Sequence, residues 1–200
     1  MFLLAAATVI NLGTQVTGNI PAANEAIIST TVGQDGVWAA SGWPLGIGMG
    51  NLTTGTPVNS TMYVYQMNLQ RTQVIGHTTI DVTTAGTAET WYTCLYNAAG
   101  TTLLWSASGT VNAIAVTSFS AAQYTAYPGV YLAAYEQTGT TSAIVETSTS
   151  ANAGVVTIIN QNGNRFSTSA NKVSAGACPT SLGTLTAINS TINPLIALEP

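Results

Sequence analysis

Tyr63-Val64-Tyr65-Gln66-Met67-Asn68-Leu69 is the stretch that decides the fold class. Its large apolar side chains, Tyr63, Tyr65, Met67 and Leu69, fall at every second position, alternating with Val64, Gln66 and Asn68. Period two puts one set on one face of a strand, whereas a helix face needs spacings of three and four. The next run repeats the pattern, with Val74, Ile80 and Val82 inward and His77, Thr79 and Asp81 outward, before Thr83-Thr84-Ala85-Gly86-Thr87 turns the chain. Trp91, Thr93 and Leu95 then alternate with Tyr92, Cys94 and Tyr96, and Asn97-Ala98-Ala99-Gly100 has turn chemistry. Leu103–Trp105 opens another strand, and Val111–Val116 is the next candidate. Val130–Tyr135 follows the Pro128-Gly129 turn, and Ala143–Val145 and Val155–Ile159 complete the set. About eight short strands at roughly 8–12-residue spacing, with no helical periodicity, predict an all-β antiparallel β-sandwich and, among sandwiches, a jelly roll.

The flanks differ from this block. In residues 1–31, Leu12, Val16 and Ile20 recur every four positions, but Gly13, Gly18 and Pro21 oppose a helix. These residues are too sparse for a core of their own. An extended shaft or anchor segment that buries them by winding with copies of itself fits better. Residues 32–58 are Gly- and Pro-rich around Trp38 and Trp43, which predicts a connecting loop with a hydrophobic plug. Residues 59–200 hold the sandwich and a Ser/Thr-rich tail, whose Leu182, Leu185, Ile188, Ile192 and Leu195 add edge strands or run to a neighbouring subunit.

Composition removes several function classes. Of 200 residues only 5% are charged, against about 25% in an ordinary soluble domain. Arg71, Arg165 and Lys172 are the whole basic complement, too few to track a phosphate backbone, which argues against nucleic acid. The longest apolar-rich run, Met1–Ile10, falls short of the ~20 residues of a membrane span and lacks the positive start of a secretory signal. With 33 threonines, 15 serines and 19 glycines, the surface must be hydroxyl- and amide-covered, and little like-charge repulsion opposes self-association. The sequons at Asn51, Asn59 and Asn189 are no more than this composition yields by chance. Cys94 and Cys178 read first as two small buried hydrophobes, with one long-range disulfide as the alternative.

No catalytic constellation emerges. The single histidine, His77, and Asp81 share a strand face but stand ~13 Å apart. The acids Glu25, Asp35, Asp81, Glu89, Glu136, Glu146 and Glu199 are scattered, although Glu136 and Glu146 could oppose each other across a hairpin. A glycosidase pair needs carboxylates ~5–9.5 Å apart. There is no zinc, calcium, phosphate-loop or dinucleotide spacing, so the expectation is a non-enzyme without metal or cofactor. Aromatic rings on a sandwich can stack on sugars; Trp91, Tyr92, Tyr96 and Trp105 are the candidates, with alternation sending about half of the aromatic set inward.

Two stretches resemble a known family. Leu12-Gly13-Thr14-Gln15-Val16-Thr17-Gly18-Asn19-Ile20-Pro21-Ala22-Ala23-Asn24 resembles a segment that recurs in the shafts of tailed-bacteriophage fibres. Tyr63 through Gln137 is similar to a β-sandwich domain of phage tail and minor structural proteins. The matching stations are Arg71-Thr72-Gln73-Val74, the run from Ile80 to Ala88, Leu95-Tyr96-Asn97-Ala98-Ala99-Gly100, Gly109-Thr110-Val111 and Pro128-Gly129-Val130-Tyr131-Leu132-Ala133. The resemblance implies a homotrimeric fibre or head or tail appendage on the virion surface. Its N-terminal segment would meet other virion proteins, and its distal sandwich would face a host-surface glycan. The other expectation is a carbohydrate-binding module of a secreted or cell-surface protein.

Overall fold

The computed structural model describes residues 52–69, 72–140, 143–148, 166–187, 193–194 and 196–200. The segment carrying Leu12, Val16 and Ile20, the Trp38 and Trp43 stretch and the Val155–Ile159 candidate lie outside the described residues. Within them, β1 (Leu52–Gly55), β2 (Tyr63–Leu69), β3 (Gln73–Thr84) and β4 (Thr90–Asn97) are followed by β5 (Leu103–Thr110), β6 (Ala115–Ala126), β7 (Gly129–Thr138) and β8 (Ile144–Ser148). These pair antiparallel in nested fashion: β4 with β5, β3 with β6, β2 with β7 and β1 with β8. Pairing of β3 with β8 and of β4 with β7 gathers them into two sheets. The first sheet holds β1, β8, β3 and β6; the second runs β2-β7-β4-β5. The expected antiparallel β-sandwich is the fold.

Two local expectations are corrected, and for the tail the edge-strand alternative is the one observed. Residues 52–55 of the presumed connecting loop form β1, because Leu52–Gly55 finds a full antiparallel partner in Val145–Ser148. Residues 111–114 of the expected Val111–Val116 strand are instead a corner between sheets: β5 ends at Thr110, Asn112 turns its side-chain oxygen to the Glu89 N–H at 3.0 Å, and β6 starts at Ala115. The tail supplies three strands: β10 (Leu185–Ala187) on β9 (Phe166–Ser169), itself beside β2; β11 (Asn193–Pro194) on β8; and β12 (Ala197–Glu199) on β3.

Between the sheets, Tyr63, Tyr65, Trp91, Leu95, Trp105 and Tyr135 meet Ile75, Ile80, Val82 and Phe119. Trp91 stacks on Tyr135 with ring centroids 4.9 Å apart, and Tyr135 stacks on Tyr63 at 5.0 Å. Each such pair adds about 0.5–1.5 kcal/mol beyond its burial. The Trp91 indole N–H donates to Thr93 Oγ1 at 3.1 Å, and that hydroxyl donates to Thr78 across the sheets at 3.4 Å.

A second apolar cluster occupies the other face of the second sheet. Met62, Val64, Tyr92, Tyr96, Leu132 and Ala134 pack beneath a strap, residues 170–185, that contributes Cys178 and Leu182. Cys94 and Cys178 form a disulfide across 84 residues, which replaces the reading of two independent buried thiols. Hydrogen bonds fasten the strap on both sides of the tether: Tyr96 Oη donates to Pro179 O at 2.7 Å, Leu103 N to Thr180 O at 3.1 Å and Leu182 N to Gly100 O at 2.8 Å. Gly100 has φ +68° in the β4–β5 turn, and a Cβ there would press within 3.2 Å of both Leu132 and Leu182. With both faces covered, β4 and β7 are buried almost end to end.

Replacing Cys94 and Cys178 together by Ala is expected to lower stability by about 2–5 kcal/mol, measured by urea unfolding, with reduced wild type shifting by a similar amount. Gly109→Ala places a Cβ 2.0 Å from the Phe119 ring and should cost about 1–3 kcal/mol in the same assay, with the sandwich retained.

Candidate functional site

The four rings expected to stack on sugar are all buried. Trp91 lies in the intersheet stack, Tyr92 and Tyr96 lie under the strap, and Trp105 closes the gap between β5 and β6 by donating its indole N–H to Ala122 O at 2.9 Å. Alternation alone places Tyr92 and Tyr96 on a solvent face; the strap turns that face into a second interior. None of the four offers a free ring face. Burial also pushes the phenols of Tyr65, Tyr96 and Tyr135 above the ordinary tyrosine range, so they stay protonated donors.

Among the described residues the two buried carboxyls lie in separate environments. Glu89 and Glu136 are both fully buried. Glu136 sits opposite Tyr92 in the β7–β4 register and faces the strap; Glu89, three residues before Tyr92, faces the other way. The second sheet therefore separates them. Glu89 Oε1 accepts the Asn59 amide at 2.9 Å, and Glu136 Oε2 accepts the Val173 N–H at 2.9 Å. Glu136 and Glu146 stand on strands of different sheets, so the hairpin that would have opposed them does not exist. His77 approaches Glu199 at 3.9 Å, while Thr79 donates to the same carboxylate oxygen at 3.0 Å; Asp81 is paired in register with Val116. Among the described residues no three His, Cys, Asp or Glu side chains converge on one point. None of their helices is long and apolar enough to cross a membrane.

The one concave feature we single out is a groove of about 340 Å³ between β5 and β6, lined by Leu103–Ser106 and Ala121–Tyr124. A β-bulge borders it. The β3–β6 register slips between Ile75 and His77, so Ala121–Gln123 fall outside the ladder, and Ala122 O accepts the Trp105 indole N–H from β5. Gly76 stands behind the bulge, where a Cβ would come within 3.3 Å of Gln123 and 3.0 Å of Pro200. Tyr124 forms one wall, half-buried, its phenol raised by burial and then by the nearby Tyr131 and Tyr127. Tyr131 Oη donates to Tyr127 O at 2.8 Å and holds the adjoining corner. The lining has hydroxyl, amide and aromatic groups and no charge, so it can accept a neutral ligand or a polypeptide edge but offers no acid, base or nucleophile pair.

Sequence reasoning missed both the groove and the strap. The visible trace of the groove was Gly76 facing the small pair Ala121-Ala122 within a 12-residue strand. Compared with family models, curated proteins and solved structures, the chain matches none.

Burial raises the Glu136 carboxyl above its ordinary value, opposed by the Val173 N–H and by Lys172. The folded state therefore holds this proton more tightly than the unfolded chain. Stability contributed here falls as pH rises from the ordinary carboxylate range through the raised value. Glu136→Gln keeps an acceptor for Val173 and should flatten that part of the stability–pH profile in urea melts from pH 4 to pH 8.

Proposed function

We propose that the chain is a non-enzymatic structural protein of a tailed-phage virion, a short trimeric fibre or decoration protein on the particle surface that contributes to host attachment. The observation that carries this reading is the surface of the sandwich. Among the charged side chains described, only Asp81, Lys172 and Glu199 reach solvent. Such a surface resists self-association weakly and suits tight packing between copies. Three further features support it. The nested antiparallel pairing is compatible with a jelly roll, an architecture used by capsid and lectin domains alike. The Cys94–Cys178 bond suits an oxidising exterior. The buried carboxyls of Glu89 and Glu136 each accept a hydrogen bond from a neighbouring segment, which suits a structural role.

The resemblance of residues 12–24 to fibre shafts adds the polarity: an N-terminal segment against other virion proteins and a sandwich projecting toward the host. A host ligand would be a neutral or weakly basic glycan, because three basic residues in the whole chain leave little to pair with phosphate or carboxylate. The second reading, a carbohydrate-binding module of a secreted or cell-surface protein, is favoured by the uncharged groove beside Trp105 and Tyr124.

Light scattering of the intact chain should report a trimer, and removal of residues 1–25 should weaken trimerisation or virion attachment while the sandwich stays folded. Purified protein should compete with phage for adsorption. A monomer that binds an oligosaccharide array would transfer the assignment to the module.

A further inference from the structure

The exposed apolar side chains of the sandwich are not scattered. Of the six large ones among the described residues, Val58 stands apart, and the other five lie on or beside the ends of β6. Ile114 and Val116, 70% and 69% exposed, mark its beginning; Tyr127, Val130 and Val74 mark its end, with Val74 beside Thr125 in the β3–β6 register. Single exposed apolar residues need no explanation, but clusters at both ends of one strand indicate a contact surface. Among the described strands β6 pairs only with β3, so its other edge has no strand neighbour.

We propose that this edge is the docking site for a second copy of the same chain, with the two β6 strands antiparallel about a two-fold axis. The inference rests on the assembly reading, in that copies must associate, but it places a contact on the sandwich rather than on residues 8–31. Self-complementarity selects the occupant. An axis between Ser120 and Ala121 sets Ile114 of one copy against Tyr127 of the other, and Val116 against Thr125 with Val74 at its side. Each apolar end then covers the opposite end of its twin, the condition for an isologous interface.

Two further features fit the same partner. From Thr90 to Tyr135 the chain carries no charged residue, so no side chain of this strand or its neighbouring corners meets a like charge across the axis. In the middle of β6 Phe119 is buried toward the core, and the residues around it, Ser118, Ser120, Ala121 and Ala122, are small enough for two backbones to approach. Natural edge strands are usually guarded by lysine, proline or a bulge. Here the bulge at Ala121–Gln123 is the one guard of the three that β6 carries; it interrupts a continuous ladder and leaves the contact to the apolar ends. The groove between β5 and β6 then lies at the centre of the interface, where the Ala121–Tyr124 segment of the second copy covers it.

Sedimentation of the intact protein at 10–200 μM tests this, with urea midpoints showing that each variant folds. Ile114→Lys, at an exposed position, should weaken one association step at least tenfold. Adding Tyr127→Glu should restore it, because only the antiparallel two-fold register brings these two side chains together. A wild type that stays monomeric overturns both this contact and the trimer. A trimer that survives Ile114→Lys but is lost with residues 1–25 overturns the β6 contact and leaves the fibre reading standing. Weakening by Ile114→Lys without rescue by Tyr127→Glu overturns the proposed two-fold register.

Discussion

The Cys94–Cys178 tether ties the middle of a central strand to a strap that crosses the back of its sheet, and much of the molecule follows from that closure. A two-sheet sandwich ordinarily leaves the outer face of each sheet wet, with polar residues alternating against the core. Here the second sheet is covered on both sides, so β4 and β7 are buried at nearly every position. The strap is short and has little apolar surface of its own beyond Val173, Cys178, Leu182 and Leu185, which explains why a covalent bond reinforces the hydrogen bonds from Tyr96, Leu103 and Leu182.

That double burial also determines what the polar side chains do. Thr78, Thr93, Glu89, Glu136 and Gln137 are all fully enclosed, and isolated burial of such groups is costly. Gln137 donates to Pro57 O at 3.0 Å, and Glu136 takes a backbone N–H from the strap, so both hold neighbouring segments to the sheet. Residues whose types suggest acid–base work are thereby occupied as structural fasteners. The rings that a carbohydrate site would have used are occupied in the same way, Trp91 and Tyr135 in a stack and Tyr92 and Tyr96 beneath the cover.

The rim of the sandwich stays open. The tail adds strands to β8 and to β3, whereas β5 and β6 stay at the ends of their sheets. On that open side the bulge, the groove and the exposed apolar residues coincide. An uncharged side of this kind is suited to contact with another molecule, and the chain's weak charge does little to discourage it.

The strand periodicity of Tyr63–Leu69, Gln73–Thr84 and Trp91–Tyr96, the Asn97–Gly100 turn and the near absence of charge were legible from the residues, because strand pleat, turn conformation and surface solvation are local properties. The division of β5 from β6 was not, since a corner between sheets depends on Asn112 reaching the Glu89 backbone, a contact 23 residues away. Nor was the burial of Tyr92 and Tyr96, because alternation reports that a strand has two faces but not what lies on each. The pairing of Cys94 with Cys178, the separation of Glu89 from Glu136 and the groove behind Gly76 all arise from strands brought together across long stretches of chain. By itself the sequence determined an uncharged antiparallel β-sandwich. Only tertiary structure decided which faces of it are dry, because burial belongs to the partner a face acquires and not to the strand that carries it.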